Sequence, residues 1–205
     1  MTLAAYQAAF ARIVLSPALC RRAREQGDAA FEGFEMDAVE RARLLDIARQ
    51  PGMRITCMLA RANRLSSLVG ALPLSCELLK PELSGLLDRY WDAEPMANLQ
   101  ALPAGLAFAH FLRAEIEAGR IVRPHAADVL RCELARLELQ LAAHTGTGRA
   151  MRALRFDFDP APLLDALAAG TRPPATLPAR PTVLEIDFRT DPPQTRVRPV
   201  DTASR

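Results

Sequence analysis

Apolar residues recur every three or four positions through most of the chain up to residue 146, which is the spacing of one helix face. In the first such stretch, residues 2–15, they are Leu3, Tyr6, Phe10, Ile13 and Val14. The segments that follow are separated by Pro or Gly, and one has a capping-box-like start in which Asp37 precedes Glu40 by three residues. The pattern predicts a helical bundle over residues 1–146.

Two of these segments show long apolar stripes on one face. The helix expected after Pro51 carries Ile55, Leu59, Ala62, Leu65 and Val69. The helix expected after Pro124 carries Leu130, Leu134, Leu137 and Leu141, opposite a charged side. Each stripe is typical of an amphipathic helix.

The pattern changes to strict alternation after residue 149. Leu154, Phe156 and Phe158 alternate with Arg and Asp, and Leu184, Ile186 and Phe188 alternate further on. Period two predicts half-buried strands, with a short helix, PAPLLDALAAG, between them and a third strand in TRVRPV. We therefore expect a mainly α protein with a small α/β tail. Its strand–helix–strand–strand module, residues 149–201, is too small for an independent domain and should dock on the bundle.

The last two strands should form a hairpin closed by DPPQ. A simple register would place Asp187 opposite Arg198 and Arg189 opposite Arg196, a like-charge contact that an acidic partner would relieve. An edge strand of this module can accept an extended peptide by backbone pairing; the alternative is a solvated edge protected by its Pro and Arg residues. The candidate peptide-binding residues are Leu184, Ile186, Phe188, Arg189, Arg196 and Arg198.

Charge and composition narrow the choice of partners. The 205 residues are 50% hydrophobic and carry a net charge of +2. Residues 149–205 hold nine Arg against seven acidic side chains, and the remainder is balanced. A protein that depends on phosphate contacts usually shows a clustered basic face, so nucleic acid is not the expected partner. The chain shows neither a signal-peptide pattern nor an apolar run long enough to span a membrane, and we expect a soluble, cytoplasmic protein.

No set of residues predicts a catalytic or metal site. Cys20, Cys57, Cys76 and Cys132 are far apart in apolar helical stretches, which favours buried free thiols over zinc ligands. The histidines lack the partners and spacing of a triad or a zinc motif; they are His110, His125 and His144. The sequence therefore predicts that this chain binds no cofactor of its own.

Other candidate motifs have simpler explanations. HTGTGR follows a helix and lacks the Lys-Ser/Thr of a phosphate loop, so it is interpreted as a linker. Asp157 and Asp159 share the outer face of a strand, and Asp159 suits a helix cap. Arg61 and Arg64 lie one helical turn apart, where they could hold a carboxylate or phosphate together or form surface or interhelical ion pairs.

Several segments resemble a known family. QPGMRITCMLARANRLSSLVGALPLSCELL, the following LLDRYW, and the ending RFDFDPAPLLDALAAG with VLEIDF resemble the partner subunit of the methanobactin biosynthetic complex (MbnC). They are also similar to the related small partner proteins of multinuclear-iron TIM-barrel peptide-modifying oxidases. The resemblance covers most of the chain and is one of layout, without an invariant motif.

The resemblance implies a non-catalytic subunit of a heterodimer. A TIM-barrel iron enzyme would hold the iron and use dioxygen to convert cysteines of a ribosomal precursor peptide to oxazolone and thioamide groups. The small subunit would stabilise that enzyme and help to bind the leader of the precursor. Two alternatives stay open. One is a nucleic-acid-binding regulator with a winged-helix-like tail; the other is a stand-alone enzyme with a site around His110 and Arg113.

Overall fold

The computed structural model describes residues 3–93, 100–147, 150–190 and 192–200. Within these ranges the chain forms nine α-helices, one 3-10 segment and three β-strands. In chain order they are α1 (Leu3–Leu15), α2 (Pro17–Gln26), the 3-10 segment (Gly27–Phe31), α3 (Ala38–Arg49), α4 (Met53–Ala71), α5 (Pro73–Leu78), α6 (Leu83–Ala93), α7 (Ala101–Glu117), α8 (Ala126–Thr145), β1 (Met151–Phe156), α9 (Ala161–Ala168), β2 (Thr182–Asp187) and β3 (Gln194–Pro199). This order confirms the predicted fold class, mainly α with a small α/β tail.

The chain divides into two compact units. The first unit comprises Met1–Ser67 and Gly85–Leu99, and the second comprises Leu68–Ser84 and Gln100–Arg205. The strands therefore belong to the same unit as α7 and α8. The predicted division into domains 1–146 and 149–201 follows a different line, and it stays a prediction.

The core of the first unit is built by α1 to α3, the 3-10 segment and the start of α4. Ile13, Phe31 and Leu44 are fully buried in it. The predicted capping box at the start of α3 is confirmed: Glu40 N donates to Asp37 Oδ1 at 2.8 Å, and Asp37 N donates to Glu40 Oε2 at 3.1 Å. Two N–H groups that the helix leaves without partners are satisfied in this way, which fixes where α3 begins.

Helix α4 turns its longer apolar stripe away from the core. Ile55 and Leu59 are about 60% exposed, whereas Met53, Cys57 and Arg64 are buried. Both faces of this helix carry apolar residues, so periodicity alone could not tell which one packs.

The second unit is organised around α8. Leu130, Leu134 and Leu137 of its predicted stripe are buried, while Leu141, near the end of the helix, is partly exposed. Another face of α8 contacts the sheet through Cys132, Ala135 and Leu139.

The three strands form one antiparallel sheet in the order β1-β2-β3. β2 is thus the central strand and is paired on both sides. Phe156, Leu184 and Ile186 lie on the face that packs against α8. β1 and β3 are the outer strands of the sheet.

The predicted hairpin register was wrong. In the structure Asp187 lies opposite Gln194, and Arg196 lies opposite Glu185 rather than Arg189. The connection between β2 and β3 spans residues 188–193, so it is longer than the simple DPPQ turn, and the pairing shifts by four residues. An even shift keeps each side chain on its expected face but changes its cross-strand neighbour.

Candidate functional site

The six predicted peptide-binding residues fall into two groups. Leu184 and Ile186 are 2% and 4% exposed and belong to the core between the sheet and α8. Phe188 follows β2 and packs partly buried against the same cluster. These three residues hold the sheet in position, and the side chains of Leu184 and Ile186 lie beneath it rather than on an open surface.

The two faces of β3 differ in chemistry. Val197 lies on the same face of the sheet as Leu184 and is 39% exposed. Arg196 and Arg198 lie on the other face. Arg198 forms an ion pair with Glu185 at 3.3 Å, and Arg196 donates to Gln194 Oε1 at 2.5 Å. The strand therefore presents an apolar side chain on one face and cationic ones on the other.

Arg189 does not take part in the strand pairing. Its guanidinium donates to Asp187 Oδ1 at 2.9 Å and to Asp187 Oδ2 at 2.7 Å, and its backbone N–H also donates to Oδ1. These hydrogen bonds from Arg189 lower the pKa of Asp187 to about 2, since they stabilise the carboxylate. The expected like-charge contact is replaced by a neutralised pair at the end of β2.

The hydrogen-bond ladder shows which backbone groups of β3 face outward. Val200 N donates to Pro181 O at 2.9 Å, so this pair lies at a bonded position of the ladder. Bonded pairs alternate with unbonded ones along antiparallel strands. Given the register, Thr195 and Val197 are at unbonded positions, and their N–H and C=O groups point away from β2. All residues of β3 are exposed.

The outer edge of β1 is partly covered. Phe188 N donates to Ala150 O at 2.7 Å, and by the same alternation Ala153 and Arg155 direct their backbone groups outward. Arg131 of α8 donates to Arg155 O at 2.8 Å. Its guanidinium also lies 4.4 Å from the centre of the Phe156 ring, within cation–π distance.

The outer edge of β3 is therefore the candidate site. Within the parts of the chain that the structure describes, no hydrogen bond reaches the outward N–H and C=O groups of Thr195 and Val197. An extended peptide can pair with such groups as a fourth strand. Sequence reasoning missed Thr195, Val197 and the covering role of Arg131, because only the ladder shows which residues of an outer strand face outward.

Arg61 and Arg64 lie in the first unit against one aromatic ring. Their guanidinium groups are 4.8 and 4.9 Å from the centre of the Trp91 ring. Arg61 forms an ion pair with Asp88 at 2.6 Å. Arg64 is buried, and burial lowers its pKa. The alternative of interhelical ion pairing is confirmed for Arg61, because Arg61 belongs to α4 and Asp88 to α6.

The structure locates the remaining candidates separately. His110 is exposed on α7, His144 lies in the last turn of α8, and His125 Nδ1 is 3.6 Å from Asp128. In residues 3–93, 100–147, 150–190 and 192–200, no three His, Cys, Asp or Glu side chains gather as metal ligands would.

All four cysteines are buried and free, as predicted. Burial raises the pKa of Cys57 to about 11 and that of Cys76 and Cys132 to about 12, because a thiolate is poorly solvated there. These three side chains are therefore thiols near neutral pH.

None of the described helices is by itself long and apolar enough to cross a membrane; Leu3–Leu15 and Ala18–Phe31 meet that test only as a pair bent by 109°.

No protein-family model matches this chain, and no curated protein matches it significantly. The resemblance to methanobactin partner subunits stays a prediction.

Proposed function

We propose that this chain is the non-catalytic partner subunit of an iron-dependent oxidase complex. The complex would convert cysteines of a ribosomal precursor peptide to oxazolone and thioamide groups, as in methanobactin-type biosynthesis. This chain would bind the leader of the precursor and stabilise the TIM-barrel subunit, and the iron would belong to that subunit. We place the complex in the cytoplasm.

The observation that carries the proposal is the outer edge of β3. Thr195 and Val197 direct backbone donors and acceptors outward from an exposed strand. The inner edge of this strand pairs with β2, and the sheet packs against α8. A peptide that pairs there gains main-chain hydrogen bonds whatever its sequence, while its alternate side chains give specificity.

The faces of β3 indicate which leader would fit. A bound strand would place alternate side chains beside Val197 on one face and beside Arg196 and Arg198 on the other. Apolar side chains suit the first face, and acidic side chains suit the second. We therefore expect the bound part of the leader to alternate apolar and acidic residues.

The test is co-expression with a TIM-barrel iron enzyme and a short Cys-containing precursor peptide, for wild type and two proline variants. V197P removes one outward N–H of β3 without removing a bond between β2 and β3, because the Val197 N–H points away from β2. A153P makes the same change on the outer edge of β1 and is the matched control. Complex formation is measured by size exclusion, and leader affinity by titration with the synthetic leader.

We expect all three forms to bind the enzyme. V197P should weaken leader binding by about tenfold or more, since it removes a hydrogen bond and introduces a clash, whereas A153P should stay within about twofold of wild type. Failure of wild type to associate with the enzyme would refute the proposed role in the complex. Equal leader binding by V197P and wild type would refute the outer edge of β3 as the leader-binding site.

A further inference from the structure

A cleft of about 420 Å³ lies in the second unit, away from the β3 edge. It is bounded by the end of α5, the residues before α8, and α9 with the loop that follows it. Leu163 and Leu167 of α9 are nearly fully buried beneath it and pack with Leu78 in one apolar cluster. Its size is typical of sites for small molecules.

The rim of this cleft is cationic. Lys80, Arg123 and Arg172 line it, and Glu77 is the one carboxylate among the lining residues. Lys80 pairs with Glu77 at 3.1 Å, and Arg123 pairs with a neighbouring carboxylate at 2.8 Å. Arg172 is exposed and forms no ion pair with any residue that the structure describes. Its guanidinium is therefore available to an anion.

The backbone beside the cleft is held in an unusual conformation. His125, which lines it just before α8, has φ 62, and within the described ranges it is the only non-glycine residue with a positive φ. Residues other than glycine rarely adopt a positive φ, and those that do concentrate at binding sites. The His125 ring packs against the Phe158 ring, and the two ring centres are 5.0 Å apart. His125 thus adds a residue of unusual backbone conformation to the lining of the cleft.

We propose that this cleft binds a small organic carboxylate with an apolar body. The apolar part lies on the leucines of α9, and the carboxylate is held by Arg172, whose planar guanidinium can donate two parallel hydrogen bonds to it. The leucine floor distinguishes this site from one for a bare inorganic anion. This cleft involves neither β3 nor a partner subunit, so the site is independent of the proposed function.

Octanoate is the probe, titrated into the full-length protein by calorimetry. Octanamide has the same chain without the charge, and butyrate has the same charge with a shorter chain. R172E reverses the charge at the site, and R180E makes the same change on an exposed residue of the same Pro-rich segment outside the cleft.

We expect octanoate to bind wild type and R180E equally. R172E should bind octanoate about tenfold or more weakly than wild type, because the charge contact is lost. Wild type should bind octanamide about tenfold or more weakly than octanoate for the same reason. Butyrate should also bind about tenfold or more weakly, because each buried methylene adds to affinity. V197P should bind octanoate as wild type does, which separates this site from the β3 edge.

Absence of octanoate binding to wild type, or equal binding by R172E and wild type, would overturn the proposal. Equal affinity for octanamide and octanoate would do the same. Thermal unfolding of each variant checks its fold, and R172Q replaces R172E if the reversed charge impairs folding. In NMR titrations the amide signals of His125 and Thr171 should shift while that of Thr195 does not.

Discussion

Glu133 is a buried carboxylate that caps a neighbouring helix. It is 3% exposed, and its two oxygens accept hydrogen bonds from Leu74 N at 2.7 Å and Ser75 N at 2.8 Å in the first turn of α5. These N–H groups have no partner within α5 because they begin it. Burial nevertheless raises the pKa of Glu133, and the hydrogen bonds only partly oppose that effect.

This raised pKa predicts a pH dependence of stability. The folded state binds a proton on Glu133 more readily than the unfolded state, so wild type gains stability as the pH falls through the folded pKa towards about 4.3, the usual value for Glu. E133Q cannot titrate there. Its neutral amide also places a donor against one of the two N–H groups, which should cost about 1–3 kcal/mol.

Denaturant titrations of wild type and E133Q between neutral and mildly acidic pH check this. The difference in free energy of unfolding should widen in favour of wild type as the pH falls. E138Q, at a more exposed position of α8, is the control and should change stability by less than about 1 kcal/mol. A difference that narrows on acidification would mean that the hydrogen bonds from Leu74 N and Ser75 N lower the pKa of Glu133 by more than burial raises it.

Local chemistry could be predicted from the sequence at the residue scale, and long-range environment could not. The capping box of Asp37 and Glu40 involves residues three apart, so spacing alone identified it. Glu133 and Leu74 are 59 positions apart, and nothing in the sequence marks their contact. The same holds for Arg131, which reaches the backbone of β1.

At the scale of elements, one close contact joins α7 to the end of α4. A Cβ atom added to Gly105 would overlap the Cβ of Ala71 and also touch Leu137. Gly105 therefore lets two chain segments approach more closely than any other residue would. Gly70, in the last turn of α4, has open space at the same position.

These two glycines predict opposite effects of the same substitution. G105A should destabilise the protein by about 1–3 kcal/mol, because the packed segments must move apart. G70A should stabilise it by about 0.5–1 kcal/mol, because alanine restricts the unfolded chain more than glycine does. Thermal unfolding of both variants measures the two shifts, and a stabilising G105A would contradict the packing.

The helices and strands themselves could be predicted from the spacing of apolar residues and from the positions of proline and glycine. Proline and glycine bounded most helices, and alternation identified the strands. The register of β2 and β3 could not be predicted, because the length of the loop at residues 188–193 sets it, and the sequence indicated a shorter turn, DPPQ, that overlaps the end of this loop. The packed face of α4 could not be predicted either, since Ile55 and Leu59 give the exposed face the stronger apolar pattern.

At the scale of the whole molecule, the helices are divided between two compact units, and the strands share the second with α7 and α8. The sequence predicts a single bundle followed by a docked sheet module, and that division stays a prediction. The two parts of the first unit are separated in the sequence by Leu68–Ser84, which belongs to the second unit. Neither a change in composition nor a linker marks this division in the sequence. The candidate site was only partly predicted: the sequence indicated an edge strand in the tail, and the order β1-β2-β3 identifies which strands are outer.

Backbone amide exchange is the most direct measurement of peptide pairing at β3. In the free protein the outward N–H groups of Thr195 and Val197 should exchange rapidly, because no hydrogen bond from the described residues protects them. Addition of the leader should slow both of them, by about tenfold or more, while the outward N–H of Ala153 on β1 keeps its rate. Unchanged exchange at Thr195 and Val197 in the presence of saturating leader would contradict strand addition.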